Sequence, residues 1–300
     1  MKQYKVWLML TLCVLFWAGN YVFGKFVVVE LSPIWMTFSR WFFASFLLFP
    51  IAQWLEKPNW RQAIKKWPTL LLLSLLGYVG YNSILYTALS YTSSTNAALV
   101  NSLNPALIII LSAAVFKENL TWIKRGGIVV SLVGVMTILT KGQIFSVFQM
   151  TYNRGDLIML LAIVVWSLYS LVAKQLSGIK PITATAFASL FTVIILCPFA
   201  LREGFQIQNL SAMGRIGMAY IVLFPSVGSF IFWNISVIKV GASRAGIFMN
   251  LMPVFTAIIS VAMGAELYAS QIIGGAIVLF GVSLTTGVFE KKKEEKISAL

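Results

Sequence analysis

Residues 94–105 read Ser-Thr-Asn-Ala-Ala-Leu-Val-Asn-Ser-Leu-Asn-Pro, and the apolar sequence after them runs to Phe116-Lys-Glu118 and then Gly126-Gly127. A second copy of this arrangement follows later: Met249-Asn-Leu-Met-Pro253, then Gly264-Ala-Glu266, then Gly274-Gly275. Pro105 and Glu118 are thirteen residues apart, and so are Pro253 and Glu266. A proline inside an apolar segment, followed at fixed spacing by a glutamate and a glycine pair, marks an internal repeat. The same period holds elsewhere. Pro33 to Pro50 and Pro181 to Pro198 are each seventeen residues, and Pro50 to Pro105 and Pro198 to Pro253 are each fifty-five. Trp17 to Lys25 and Trp166 to Lys174 are each eight.

Of the 300 residues 59% are hydrophobic and 11% charged, with a mean hydropathy of +0.86, whereas a soluble domain carries roughly 25% charged residues. This composition implies an integral membrane protein, and no polar stretch is long enough to form a further domain. The net charge of +14 would suggest nucleic acid in a soluble chain. Here the Lys and Arg residues stand in short pieces between apolar runs, which is how membrane topology is written, so lipid is the expected partner and nucleic acid is not. Cys13 and Cys197 both fall inside apolar runs, where a buried free thiol is expected. Lys2 and Lys5 precede an apolar run of full span length without a clear small-residue cleavage site, which reads as a retained first helix.

A span of about 20 apolar residues crosses the roughly 30 Å hydrocarbon layer. Ten can be placed, at about 5–24, 33–54, 68–90, 95–116, 123–140, 155–173, 182–201, 215–236, 244–264 and 270–289. If odd-numbered spans run outward, seventeen Lys and Arg residues lie inside and five outside, which places both termini in the cytoplasm. The expected fold is therefore all-α and integral to the membrane. Two five-helix repeats, 5–140 and 155–289, are followed by a cytoplasmic tail, 290–300. Because five is odd, the second repeat is inverted relative to the first, as in alternating-access transporters whose substrate site lies near the midplane between repeats.

The five-plus-five plan, Phe16-Trp-Ala-Gly-Asn20 with Lys25 beyond it, Arg40 in the second span, and the paired proline–glutamate–glycine signatures resemble the EamA family of the drug/metabolite transporter superfamily. The resemblance extends from about residue 5 to 289. It implies a ten-helix bacterial metabolite or amino-acid exporter of the inner (plasma) membrane, with a central cavity. The family's substrates range over amino acids, nucleosides, sugar phosphates and amines. One departure stands out: the second repeat has Ala188 where Arg40 stands in the first.

Pro105 and Pro253 lie near mid-span. Each removes a backbone donor and frees the carbonyl of the residue four earlier, Asn101 or Met249, so both are candidate kinks or hinges. Asn101, Asn104 and Asn250 put side-chain amides at the same depth, where amides are costly unless partnered, and a cavity wall satisfies that requirement. Arg40 stands well inside a span, and two readings are open for it. It anchors a substrate carboxylate or phosphate through its planar fork, or it is a structural cation bonded to carbonyls and to Asn or Tyr side chains of neighbouring helices.

Tyr78, Asn82 and Tyr86 fall four apart on one helix face. Trp17, Asn20 and Tyr21 on span one, Trp166 and Tyr169 on span six, and Phe230 and Trp233 on span eight add polar-tipped aromatics. Such a set suits a mostly apolar cavity with a few fixed polar groups; packing accounts for any one of them singly. Glu118 and Glu266 occupy equivalent helix ends and read as caps or as gate residues. The glycines near 126–134 and 274–281 make small faces for close helix packing, within one chain or across a homodimer.

With no histidine and no acid in mid-span, no proton relay of the usual kind is present, although Asp156, Glu30 and Glu266 stand at span edges. No nucleophile and base are placed together, so no enzyme activity, cofactor or metal is expected. A transporter of a small molecule is, and the lone intramembrane arginine favours export of an amino acid, aromatic or otherwise apolar, or a related metabolite. A carrier of organic cations or drugs, using the aromatics as a cation–π box, is the alternative within transport. A membrane scaffold or receptor is the alternative outside it.

Overall fold

The computed structural model of the protein describes residues 3–116, 121–143, 152–175, 178–240, 245 and 247–285. Glu118 and the tail 290–300 lie outside them. Ten apolar helical segments follow one another: α1 Gln3–Val27, α2 Pro33–Leu55, α3 Trp67–Tyr91, α4 Ser94–Asn101 with Asn104–Phe116, and α5 Trp122–Leu139. The second set is α6 Arg154–Gln175, α7 Pro181–Arg202, α8 Ala212–Ile221 continuing through Val222–Gly228 to Ser229–Val240, α9 Met252–Ala262 and α10 Ala269–Thr285. The first eight are long and apolar enough to cross a membrane, and α9 and α10 are shorter apolar helices. A short helix, Trp60–Ile64, joins α2 to α3.

The helices begin where local chemistry provides for their free N–H groups. Ser32 accepts from the N–H of Trp35 with Pro33 in the first turn, Ser93 caps α4, Thr121 caps α5 and Ser211 caps α8. Asn153 accepts from the N–H of Gly155 at the start of α6.

The start of α7 is capped from outside its own sequence. The Glu56 carboxylate, just past the end of α2, accepts from the N–H groups of Ile182 (2.9 Å) and Thr183 (2.7 Å) and from the Thr183 hydroxyl. At the other end of the pair, Glu203, just past α7, accepts from the Ser32 hydroxyl at the start of α2. The two equivalent helices thus run antiparallel, each tied by a glutamate to the other's N-terminus. That is the signature of inverted repeats. Glu56→Ala leaves two N–H groups of α7 unpaired and is expected to cost about 1–2 kcal/mol, read as a lowered unfolding midpoint; Glu56→Gln, which keeps one acceptor, is expected to cost about half of that.

α5 and α10 are in backbone contact. A Cβ at Gly134 would lie 2.6 Å from the Val278 nitrogen and 2.8 Å from the Gly274 carbonyl oxygen, and one at Gly281 would lie 2.5 Å from the Ser131 nitrogen. The small faces are therefore used within one chain. Gly126 is not part of them, since nothing lies within 4 Å of its Cβ position; Gly275 packs instead against Leu99 of α4.

Two features interrupt regular α-helix. α3 and α8 each contain a π-helical turn, Ser74–Gly80 and Val222–Gly228. These turns stand 148 residues apart, the same offset as Pro105 and Pro253. α4 is broken at Ser102–Leu103, and α9 is preceded by a 3₁₀ turn, Ile247–Leu251. Pro105 and Pro253 are the second residues of the helices that start after these interruptions, where a missing N–H costs nothing. The prolines therefore stand at helix starts beside a break, rather than at bends within continuous helices.

Candidate functional site

The centre of the bundle is built around Arg40, which is 4% exposed. Its Nε donates to Ser226 Oγ at 2.7 Å. Its Nη1 donates to Asn20 Oδ1 (3.2 Å), Asn82 Oδ1 (2.8 Å) and Tyr86 Oη (2.6 Å). The guanidinium carbon lies 4.8 Å from the centroid of the Trp41 ring. The acceptors bonded to it are neutral, so the site keeps its positive charge.

The partners are themselves held. Asn82 Nδ2 donates to the carbonyls of Gly77 (2.9 Å) and Tyr78 (3.0 Å), both within the π turn of α3. Ser226 Oγ donates to the Ile221 carbonyl five residues earlier at 2.6 Å, within the π turn of α8. Tyr86 Oη donates to Asn20 Oδ1 at 3.0 Å. Arg40 thus joins the side chains that stitch the π turns of both repeats. Tyr78 and Ser226 are repeat equivalents, so one arginine serves both halves. The equivalent position in α7 is the buried Ala188, so the second repeat carries no cation there.

Around this clasp the aromatic candidates form one continuous column. Trp233 and Trp17 approach to 5.6 Å between ring centroids, Trp17 and Phe230 to 6.0 Å, Phe230 and Tyr78 to 6.3 Å, and Tyr78 and Tyr169 to 6.1 Å. Tyr169 and Trp166 follow at 4.9 Å. Two rings outside the sequence-derived set complete it, Trp41 at 4.5 Å from Tyr78 and Tyr81 at 4.7 Å from Trp166. Trp17 Nε1 also donates to the Pro225 carbonyl of the α8 π turn at 3.2 Å.

A polar branch leaves the column through Tyr81. Its hydroxyl lies 2.9 Å from that of Tyr21 and donates to Asn101 Oδ1 at 3.1 Å, and Asn104 Nδ2 donates to the same oxygen at 2.6 Å. Asn104 Oδ1 is buried without a partner, beside the break in α4. Asn250 is half-buried in the 3₁₀ turn before α9 and lies outside this bonded set. Glu266 is exposed in the connection from α9 to α10.

On the face where α1 begins, Val6, Leu10 and Ala245 form an apolar cluster with Trp7, Trp233 and Phe248. The opposite face carries a polar pocket of about 650 Å³ lined by residues including Lys25, Asn96, Lys141 and Gln271. Beneath it the buried carboxylate of Asp156 accepts from Thr92 and Asn96, and Asn96 accepts from Gln271. Between α4, α9 and α10 an apolar groove of about 560 Å³ includes Leu99, Pro253 and Leu279 in its walls. The lining of neither cavity includes the rings of the central column, which are packed against one another.

The structure brings Arg40, Asn20, Asn82, Tyr86 and six of the column's rings together, and adds Ser226, Trp41 and Tyr81, which the sequence does not single out. Ser226 was reachable through the repeat, since it stands 148 residues after Tyr78. Tyr81 and Trp41 carried no signal that set them apart from packing residues.

Two inverted sets of five apolar helices around a buried cation and an aromatic column make a multi-pass membrane protein. The description of the EamA-like transporter family matches the chain twice, at residues 5–140 and 153–287, and the chain belongs to that family. It is 28% identical over 296 residues to the uncharacterized transporter YyaM of Bacillus subtilis (strain 168), covering 98% of this chain and 97% of that one. It is 30% identical over 288 residues to an uncharacterized transporter of Archaeoglobus fulgidus, covering 94% and 97%. A protein of Streptantibioticus cattleyicolor named a probable terminal-alkyne amino-acid exporter is 24% identical over 230 residues, 75% of this chain and 74% of that one. One solved crystal structure superposes with a TM-score of 0.68 over 96% of this chain and 99% of its own at 17% identity, which shows a shared fold.

Proposed function

We propose that the protein exports an amino acid, or a related small metabolite with a carboxylate and an apolar or aromatic body, by alternating access. The observation that carries this reading is Arg40: a buried guanidinium bonded to neutral partners, set in the aromatic column where the two repeats meet. A carboxylate is the charge that such a site lacks, and the fork of a guanidinium matches it in two parallel bonds. The rings give an apolar solute its surface. A relative named as an amino-acid exporter supports the same class.

The repeats 5–140 and 155–289 are the bodies that rock against each other, with Pro105 and Pro253 beside the helix breaks and the asparagines at 20, 82, 101 and 250 near the path. The distribution of Lys and Arg supports a bacterial inner membrane with both termini in the cytoplasm, so export runs from the face where α1 begins to the face of Lys25 and Lys141.

The test is counterflow in proteoliposomes loaded with an equimolar mixture of the twenty L-amino acids. At least one is expected to exchange against its labelled external copy. Exchange of none of them, or of quaternary amines only, contradicts the proposal.

A further inference from the structure

The four bonds of Arg40 are unevenly shared. Three go to Asn20, Asn82 and Tyr86, all in the repeat that carries Arg40 itself, and they converge on Nη1. The fourth, from Nε to Ser226 Oγ at 2.7 Å, crosses to the other repeat. Among the described residues none of the four bonds uses Nη2.

This distribution matters because of guanidinium geometry. The side edge of the group presents the N–H of Nε and one N–H of Nη2 in parallel, and a carboxylate takes that fork with both oxygens. In this structure half of the fork is occupied by Ser226 and the other half is outside the bonded set. Nη1, by contrast, is committed to its own repeat and keeps the guanidinium aimed.

Ser226 is also built to let go. Its single hydroxyl proton is already given to the Ile221 carbonyl at 2.6 Å, so toward Arg40 it acts only as an acceptor. When another oxygen takes its place, the hydroxyl keeps its bond within the π turn of α8, and no donor is stranded. The same holds at the other turn: Asn82 binds the carbonyls of Gly77 and Tyr78 through Nδ2 and receives Arg40 through Oδ1.

We propose that Ser226 is a displaceable latch: its hydroxyl occupies the Nε position of the Arg40 fork, and the substrate's carboxylate replaces it there. The inference rests on the reading of Arg40 as the carboxylate anchor and adds the step that couples binding to movement. Displacement breaks a bond between the repeats at the moment the substrate arrives, so α8 is released from α2 only in the loaded protein. A ligand shifts a conformational equilibrium by its different affinity for the two states, and here that difference is the bond to Ser226. Ser226 is a positioning residue, acting through Arg40.

The latch competes with the substrate, and removing it therefore tightens binding. Ser226→Ala is expected to lower the half-saturating concentration in counterflow, measured with whichever L-amino acid of the equimolar mixture the wild type exchanges, by about tenfold. The maximal rate is expected not to rise in proportion, since binding energy formerly used to open the latch now stabilises the ground state. Ser226→Thr keeps the hydroxyl and is expected to restore the wild-type value, which separates the latch from a defect in packing. An unchanged or raised half-saturation in Ser226→Ala, alongside loss of exchange in Arg40→Gln, overturns the latch alone. Unaffected exchange in Arg40→Gln, or no exchange by the wild type, overturns the anchor and the latch with it.

Discussion

Arg40→Gln is expected to reduce solute exchange about a hundredfold while leaving a folded protein. A bidentate carboxylate pair loses two charge-assisted hydrogen bonds of about 1.5–3 kcal/mol each, and about 3 kcal/mol in all corresponds to two orders of magnitude. The glutamine amide ends where Nε now stands, so it can still donate to Ser226 Oγ but falls short of the oxygens served by Nη1, and the clasp is weakened rather than emptied. Asn82 Oδ1 and Ser226 Oγ, which Arg40 engages at 2.8 and 2.7 Å, cannot both be satisfied by one amide. Relief from burying a charge offsets part of that loss, and the net cost is expected to be about 2 kcal/mol. Exchange in proteoliposomes and the unfolding midpoint in detergent measure the two effects separately. A variant that exchanges at wild-type rate removes the anchor, and one that unfolds completely makes Arg40 a structural cation alone.

Gly134→Leu is expected to cost about 3 kcal/mol, the upper end of what overpacking costs, because the obstacle is backbone. Its Cβ would sit 2.6 Å from the Val278 nitrogen and 2.8 Å from the Gly274 carbonyl oxygen, so α5 and α10 must separate along their contact. Gly126→Leu is the control. Nothing lies within 4 Å of that Cβ position, and replacing glycine within a helix is expected to be neutral or slightly stabilising. Thermal unfolding of the pair distinguishes a packing face from a general tolerance of small residues. Equal midpoints for both variants contradict the close α5–α10 contact.

The features legible in the sequence were those whose cost forces them to show. Ten apolar segments, a repeat carried by prolines at fixed spacing and one arginine inside a span are each expensive or improbable enough to stand out from their surroundings. The spans read at 33–54 and 182–201 are the helices α2, Pro33–Leu55, and α7, Pro181–Arg202, whereas the span read at 244–264 is a 3₁₀ turn followed by the shorter α9. The features that stayed hidden depend on distance in sequence or on backbone register. Ser226 is an ordinary serine in an apolar run until α8 brings it to a guanidinium 186 residues away. Glu56 and Glu203 are loop acids until antiparallel packing of α2 and α7 places each at the other's N-terminus. The π turn of α8 contains Pro225, which removes a backbone donor inside the helix, whereas that of α3 contains no proline. Pro105 and Pro253 lack a backbone donor, and the chain avoids that loss by starting a helix one residue before each of them.

The repeats are not symmetric at this site. Arg40 is buried among neutral partners in α2 and its repeat-equivalent in α7 is the buried Ala188. Both π turns are then tied to a single side chain, Arg40, through Asn82 and Ser226.

The most direct measurement is the exchange of an amino acid compared with that of its carboxamide by the wild-type protein in proteoliposomes. The carboxamide keeps the body and the amino group and loses the charge that Arg40 reads. The acid that exchanges is expected to outcompete its own amide about a hundredfold, and that preference is expected to vanish in Arg40→Gln. Equal exchange of acid and amide by the wild type would show that the buried arginine does not read the solute, and would contradict the account at its centre.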